Sequence, residues 1–244
     1  MNNWFQFQQF KVYQEHASMK IGTDSVILGA WCTAPADGFA LDIGCGTGIL
    51  SLMIAQRTRL AIDAVDISED ACLDAARNFK ESPWASRIGL HQRSVQDFAC
   101  GQPACCPQAY DFILSNPPYF TKSLKSSVPA RNLSRHDDSL SEMELLQAVA
   151  QLLSPSGTFS LILPADKAIL FQAKAIALGF SLFRKLSIFP TQSKPANRTI
   201  LEFKREKCIS EEFSLTIRNE NSYSDDYLQI TKEFYLKDYL KKNV

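Results

Sequence analysis

A glycine-rich turn, Asp42-Ile-Gly-Cys-Gly-Thr-Gly48, limits the folds open to this chain more than any other feature. It follows a short apolar segment at residues 40–43, which predicts a buried strand, and it precedes a predicted helix at residues 49–56. Glycines at alternate positions allow positive φ angles and a close approach of the backbone to a ligand. A strand, a glycine turn and a helix in this order predict an open α/β sheet that binds its ligand at the carboxyl end of the strand.

Strands and helices continue to alternate after this turn, as they do in a doubly wound, mostly parallel sheet. Ser68 is placed to cap one helix, and Ser139 with Glu142 predicts a capping box before a strongly amphipathic helix. Further apolar segments predict strands at residues 61–66, 87–91, 110–115, 159–163, 180–189 and 199–204. The predicted sheet therefore has seven strands.

The length of 244 residues fits one large α/β domain better than two small ones. An apolar fraction of 45% and a charged fraction of 21% are ordinary for a folded protein. We divide the chain into a leader and helix in residues 1–39, a core in residues 40–205 and a C-terminal extension in residues 206–244. In the extension, aromatic and charged residues recur at helical spacing and predict a closing helix at residues 223–240.

Charge and cysteine content narrow the classes of function. The 26 basic and 26 acidic residues give a net charge of zero, so nucleic-acid binding would need a local basic patch. Seven cysteines without a C-x-x-C pair argue against a disulfide framework and a zinc site, and no metal is expected, even at Cys100, Cys105 and Cys106. No signal peptide and no apolar stretch of about 18 residues is present, which predicts a soluble cytoplasmic protein.

Two carboxylates frame the glycine-rich turn and indicate the charge of its ligand. Asp42 precedes the glycines and would repel a pyrophosphate, yet it suits a cationic ammonium group. Asp66 ends the next predicted strand, about where a ribose-binding carboxylate belongs. The spacing D-x-G-x-G-x-G differs from the G-x-G-x-x-G of dinucleotide enzymes, which disfavours a dehydrogenase. It resembles motif I of the class I methyltransferases, whose cofactor is S-adenosylmethionine.

A third acidic residue follows the predicted strand at residues 87–91. The segment Ser94-Val-Gln-Asp-Phe98 resembles a methyltransferase motif in which an Asp accepts a hydrogen bond from the adenine amino group of the cofactor. The side chain after that Asp packs on the adenine ring. By this resemblance, Asp97 and Phe98 are expected to bind the adenine of the cofactor.

The segment Asn116-Pro-Pro-Tyr119 ends the predicted strand at residues 110–115 and indicates the reaction. Prolines donate no hydrogen bonds, so their carbonyl groups are free to accept from a substrate N–H, and the Asn116 amide oxygen is a second acceptor. These acceptors can orient a weakly nucleophilic –NH2 group towards a methyl sulfonium, and Tyr119 can stack on a planar group. The motif predicts methylation of an exocyclic or amide nitrogen, with Asn116, Pro117 and Tyr119 as catalytic residues.

The leader extends the resemblance beyond these motifs. It contains Phe7-Gln-Gln-Phe-Lys-Val-Tyr-Gln14 and Met19-Lys-Ile-Gly-Thr-Asp-Ser-Val-Ile-Leu-Gly-Ala-Trp31, and Arg135-His-Asp137 follows the proline motif. Over residues 5–205 the chain resembles the tRNA (adenine-N6)-methyltransferases that modify position 37, next to the anticodon, of a valine tRNA. This implies a Rossmann-like class I methyltransferase fold with an antiparallel last strand. It also implies S-adenosylmethionine contacts at Thr23, Asp42, Gly44, Gly46, Gly48, Asp66, Ile67, Asp97, Phe98 and Asn116.

The same resemblance implies a tRNA partner, bound through its anticodon stem-loop, and no obligate protein partner is evident. Local charge agrees, because residues 112–136 contain no Asp or Glu but several cations, and residues 184–207 form a second basic stretch. We therefore expect the RNA to contact Tyr119, Phe120, Lys122, Lys125, Arg131 and Arg135.

Three other functions remain open at this stage. A glutamine side chain also presents a planar –NH2 group, so the chain could methylate a protein glutamine at N5. The enzymes that do so generally carry a helical N-terminal recognition domain, and only about 39 residues precede the first core strand here. A guanine-N2 methyltransferase of ribosomal RNA is the second alternative. A catalytically silent binding module is the third, and it would need neither Asn116 nor Tyr119.

Overall fold

The computed structural model describes residues 3–101, 109–117, 140–220 and 222–237. Within them, strands and helices alternate from residue 39 to residue 191, and the strands after that follow one another directly. The elements are β1 (Trp4–Gln6), β2 (Lys11–Tyr13), α1 (Thr23–Trp31), β3 (Phe39–Ile43), α2 (Ile49–Arg57), β4 (Ala61–Asp66), α3 (Glu69–Lys80), β5 (Ile88–Gln92), α4 (Val95–Cys100), β6 (Tyr110–Ser115), α5 (Glu142–Leu152), β7 (Leu153–Pro164), α6 (Ala165–Ala177), β8 (Ser181–Thr191), β9 (Arg198–Lys204), β10 (Glu211–Asn219), β11 (Ser222–Tyr223) and α7 (Asp225–Thr231).

The main sheet of the described residues has the strand order β11-β10-β8-β9-β7-β6-β3-β4-β5. Strands β5, β4, β3, β6 and β7 pair with one another in parallel. Strand β9, the last of the seven predicted strands, runs antiparallel to both β7 and β8. The α/β class, the mostly parallel sheet and the antiparallel last strand are therefore confirmed.

The predicted number of seven strands is wrong, because the C-terminal extension adds two strands to the sheet. Strand β10 pairs in parallel with β8, and β11 pairs antiparallel with β10. Phe213, Leu215 and Ile217 alternate with polar residues in β10, which is the period-two signal of a strand. The helix predicted at 223–240 is shorter in the structure, where α7 covers Asp225–Thr231. Ser224 caps this helix, because its hydroxyl accepts from the backbone N–H of Tyr227 at 3.1 Å.

Buried apolar side chains cover both faces of the sheet. One face carries α1, α2, α3 and α7 together with aromatic residues of the leader, and the other carries α4, α5 and α6. Nearly continuous apolar strands such as β3 and β6 suit this burial on two sides. The carboxyl ends of the parallel strands remain as the edge where polar groups can meet.

Two polar side chains of α3 fasten the leader to the core. Asp74, which is 2% exposed, accepts hydrogen bonds from the backbone N–H groups of Glu15, His16 and Ala17 at 3.2, 2.9 and 2.8 Å. Asn78 accepts from the N–H of Tyr13 at 2.7 Å and donates to its carbonyl at 2.8 Å. Because buried backbone groups are costly to leave unpaired, these contacts fix the path of the leader.

Serine caps begin α3 and α5. Ser68 caps α3 as predicted, accepting from the backbone N–H of Ala71 at 3.3 Å. The capping box of α5 is formed by Ser141 and Glu144, not by Ser139 and Glu142, and Ser139 lies outside the described residues. The Ser-x-x-Glu pattern occurs twice in succession here, and the helix begins at the copy next to its apolar stripe.

Membrane, disulfide and metal features are absent from the described part of the chain. No helix in it is long and apolar enough to cross a membrane. The cysteines there, Cys32, Cys45, Cys72, Cys100 and Cys208, are free. No cluster of three or more His, Cys, Asp or Glu side chains within these ranges is arranged to hold a metal ion.

We predict that Asp74→Ala lowers the free energy of unfolding by about 3 kcal/mol, because three backbone N–H groups, one of them buried, lose a charged acceptor. Asp70→Ala is the matched control, since Asp70 lies on the same helix and is exposed. It should cost less than about 1 kcal/mol. Urea denaturation of both variants measures the difference, and equal losses would contradict the anchoring role of Asp74.

Candidate active site

Two adjoining cavities open at the carboxyl edge of the parallel strands. The larger has a volume of about 530 Å³ and the smaller about 250 Å³. They share four wall residues, Met19, Gly44, Gly46 and Asn116. The glycine-rich turn, the leader and the end of β6 therefore meet where the two cavities join.

The glycines of the turn have two different functions in the structure. Gly44 and Gly46 have φ angles of 70° and 55°, and a Cβ atom built on either meets no atom of the described residues within 4 Å. Gly48, with φ of 77°, would instead bring a Cβ to 2.3 Å from the ring of Phe79. The first two glycines thus leave room for a ligand, and the third allows α3 to pack closely against the turn.

Asp42 lies beneath the turn as a buried carboxyl group with one unused oxygen. Its Oδ2 accepts from the backbone N–H and the hydroxyl of Ser51 at 3.1 and 2.7 Å. Its Oδ1 has no hydrogen-bond partner among the described residues. Burial raises the pKa of Asp42 to about 7, although the Ser51 hydrogen bonds oppose this shift. A cationic or hydrogen-donating ligand nearby would stabilise the ionised form.

Asp66 is a carboxylate whose orientation is fixed by two backbone groups. Its Oδ2 accepts from the N–H of Gly46 at 2.8 Å, and its Oδ1 accepts from the N–H of Ser68 at 2.9 Å. Asp66 and the exposed Ile67 both line the larger cavity, as the sequence predicts for cofactor contacts. Each carboxylate oxygen can accept a further hydrogen bond, so the group can bind hydroxyls.

Asp97 and Phe98, which the sequence predicts to bind adenine, lie in α4 next to the wall of the larger cavity, and their contact with adenine stays a prediction. Ser94 caps α4, and the Asp97 carboxylate accepts from the Ser94 hydroxyl at 2.7 Å. Phe98 is 4% exposed, and its ring lies 5.0 Å from that of His91. The cavity is lined at this point by Ser94, Val95 and Gln96.

Asn116 lies at the end of β6 and borders both cavities. Its amide nitrogen donates to the hydroxyl of Ser25 in α1 at 2.9 Å. Pro117 is buried beside it, and Thr23 at the start of α1 lines the smaller cavity. Asn116 and Thr23 are therefore neighbours of the predicted cofactor region. Tyr119, Phe120, Lys122, Lys125, Arg131 and Arg135 lie outside the described residues.

Several cations of the second basic stretch, residues 184–207, already have partners within the fold. Arg184 pairs with the buried Glu202 at 3.1 Å and stacks over Trp31 at 3.9 Å. Lys185 pairs with Glu212 at 3.4 Å, and Arg198 pairs with Asp24 at 2.7 Å. These contacts stabilise the outer strands, so the stretch is less available to phosphate groups than its sequence indicates.

The sequence analysis missed the part of the leader that forms a cavity wall. Ala17, Ser18 and Met19 line the larger cavity, and Met19 to Ser25 continue along the smaller one. Leu140 and Glu144, at the start of α5, close the far side of the larger cavity. The available signal was the distinctive leader sequence, which predicts a family but does not state which residues face the ligand.

Comparisons with known proteins agree with this architecture. A family model described as a methyltransferase small domain matches residues 16–164. A protein of Bacteroides fragilis named tRNA1(Val) (adenine(37)-N6)-methyltransferase is 42% identical over 236 residues, covering 96% of this chain and 98% of its own. A protein of the same name from Pseudoalteromonas translucida is 41% identical over 235 residues, again covering 96% and 98%.

Among solved structures, the crystal structure of a predicted O-methyltransferase from Agrobacterium tumefaciens is similar in fold. Its TM-score is 0.63 at 16% sequence identity, and the match covers 86% of this chain and 96% of that one. At this identity the likeness concerns the fold alone.

We predict that ionisation of Asp42 lowers the stability of the ligand-free protein as pH rises. The folded state keeps this proton up to a pKa of about 7, whereas the unfolded state releases it near 3.8, so the stabilisation is lost between these values. Relative to Asp42→Asn, the wild-type free energy of unfolding should fall by about 2 kcal/mol between pH 5 and pH 8. Urea denaturation across this range measures it. A difference between the two proteins that stays constant across this range would contradict the assignment.

Proposed function

This chain belongs to the family of the tRNA1(Val) (adenine(37)-N6)-methyltransferases, and we propose that it transfers a methyl group from S-adenosylmethionine to N6 of adenosine 37 in a valine tRNA. The observation that carries the proposal is the position of Asn116. It stands at the junction of a cavity built on a glycine-rich turn and a cavity built on the leader. A substrate amino group held at Asn116 would lie beside a cofactor bound at the glycine-rich turn.

The residues present fit S-adenosylmethionine. A volume of about 530 Å³ is within the usual range for small-molecule cavities, and Gly44 and Gly46 leave open space above the turn. We assign the ribose hydroxyls to the Asp66 carboxylate and the methionyl ammonium to the charge of Asp42, whose Oδ1 has no partner among the described residues. We place the adenine ring at the wall formed by Ser94, Val95 and Gln96, with Ile67 beside it, and we keep Asp97 and Phe98 as its proposed contacts.

The protein promotes the reaction by orientation. Bound S-adenosylmethionine supplies an electrophilic methyl group on a positively charged sulfur. The carbonyl oxygens of the Asn116 side chain and of Pro117 accept the two N–H groups of the target amine, which directs its lone pair along the sulfur–methyl axis. The nitrogen–methyl bond would form as the sulfur–methyl bond breaks, which leaves S-adenosylhomocysteine. The same oxygens would stabilise the positive charge on nitrogen until one proton is released to water, so a strong general base is not required. Thr23, at the start of α1, lines the smaller cavity and is a proposed contact of the cofactor.

We also propose how the RNA is held, from sequence alone. Tyr119 and Phe120 would stack on the extruded adenine, because an amino group within a stacked helix cannot reach a pocket. The anticodon stem-loop would be bound by cations that follow the proline motif, at Lys122, Lys125, Arg131 and Arg135. The protein would act in the cytoplasm as one methyltransferase domain, without an obligate protein partner.

A methyl-transfer assay with labelled S-adenosylmethionine tests the proposed function. A valine tRNA transcript with adenosine at position 37 should accept label as N6-methyladenosine, and a transcript with guanosine there should accept none. Ribosomal RNA and a peptide-release factor serve as competing substrates. Labelling of the release factor or of guanine in the ribosomal RNA, with an unlabelled tRNA, would overturn the adenine assignment.

Two substitutions should separate cofactor binding from catalysis. Asp66→Ala should weaken S-adenosylhomocysteine binding by about 1–3 kcal/mol, because a fixed hydrogen-bond acceptor for the ribose is lost. Asn116→Ala should leave that affinity within a few-fold and lower the single-turnover rate by about two orders of magnitude. Calorimetry and rapid-quench kinetics give the two quantities. Near-wild-type turnover of Asn116→Ala would mean that the proline motif is only a turn.

A further inference from the structure

The Asn116 side chain can present two opposite faces to a substrate. One face is a carbonyl oxygen, which accepts from N–H groups, and the other is an –NH2 group, which only donates. A target amino group needs acceptors on its hydrogens and a free lone pair, so only one orientation of the amide is productive. Rotation by 180° about the last side-chain bond would direct N–H groups at the amine and lose the acceptor.

The structure contains a contact that satisfies the amide nitrogen when the side chain is in the productive orientation. The amide nitrogen of Asn116 donates to Oγ of Ser25 at 2.9 Å, which leaves Oδ1 as the part of the amide available to a ligand. Among the described residues, this is the contact that holds the amide. Asn116 is half-buried between the two cavities, so a rotated amide would face the same space.

Ser25 is itself held firmly in place. It lies in the first turn of α1, is 9% exposed, and is followed by Val26, Ile27 and Leu28, all fully buried. The preceding residue, Asp24, accepts from Nε of Arg198 at 2.7 Å, which ties this turn to β9. The Ser25 hydroxyl is therefore a fixed point on the cavity wall, not a mobile surface group.

We propose that Ser25 is a positioning residue that orients the Asn116 amide so that its carbonyl oxygen meets the target amino group. This inference rests on the proposed function for its kinetic consequence, and its structural part stands independently. Methyl transfer would then depend on a residue of α1, Ser25, in addition to the residues of the proline motif.

Ser25→Ala removes the anchor and leaves the rest of the helix turn in place. We expect the single-turnover rate to fall about tenfold, while the affinity for S-adenosylhomocysteine changes less than twofold. Ser25→Thr keeps the hydroxyl and should recover most of the rate; it also serves if the Ala variant is poorly folded. Ser82→Ala is the matched control, because it loses a serine hydroxyl contact, to the carbonyl of Phe79 at 2.8 Å, in the turn after α3. It should keep the wild-type rate.

A nuclear magnetic resonance measurement tests the contact without any RNA substrate. The side-chain NH2 signals of Asn116, assigned by their loss in Asn116→Asp, should be shifted and protected from exchange in wild type and in Ser25→Thr. They should lose this protection in Ser25→Ala. Unchanged signals and an unchanged rate in Ser25→Ala would overturn the proposal, as would a parallel loss of cofactor affinity. If the wild-type protein methylated no tRNA, the proposed function would be wrong. The NH2 signals of Asn116 would still show whether Ser25 holds the amide.

Discussion

Parallel pairing of β3 with β4 on one side and with β6 on the other is the constraint on which the site depends. Ile43 is aligned with Val65 in β4 and with Ser115 in β6, so the three strands end at one edge. The glycine turn, Asp66 and Asn116 each come directly after one of these positions. Backbone hydrogen bonds between the strands therefore bring together groups that are far apart in sequence. The glycine turn, Asp66 and Asn116, which form the floor of the site, need no direct contact between their side chains.

The walls of the site are held in a different way, by single polar side chains. Asp74 and Asn78 hold the leader against α3, and Arg198 and Asn116 hold the first turn of α1 through Asp24 and Ser25. Each such contact involves buried or half-buried groups, for which an unpaired partner is costly. The leader thus becomes part of the cavity although it contributes no strand to the main sheet.

This difference explains what could be predicted from the sequence. The glycine turn, the core strands and the ends that carry Asp66 and Asn116 follow from local patterns, and the family resemblance suggested by the leader is confirmed by relatives that match nearly the whole chain. The contact of Asp97 and Phe98 with adenine stays a prediction, because it is their neighbours Ser94, Val95 and Gln96 that line the larger cavity. The two extra strands were missed although Phe213, Leu215 and Ile217 give β10 the alternation of a strand; what no local pattern reveals is that β10 pairs with β8 in the main sheet.

The contacts that close the walls also determine when the site can form. Asp24 and Arg198 are 174 residues apart in sequence, Thr33 and Glu202 are 169 apart, and Gln8 reaches Tyr235 across 227 residues. During synthesis the amino-terminal end of a protein emerges long before such partners exist. The strand ends of the site and the leader segment held by Asp74 and Asn78 use partners from the first half of the chain. The start of the leader and helix α1 gain the contacts named above only after residues 198–235 are made, so full assembly of the site is a late folding event.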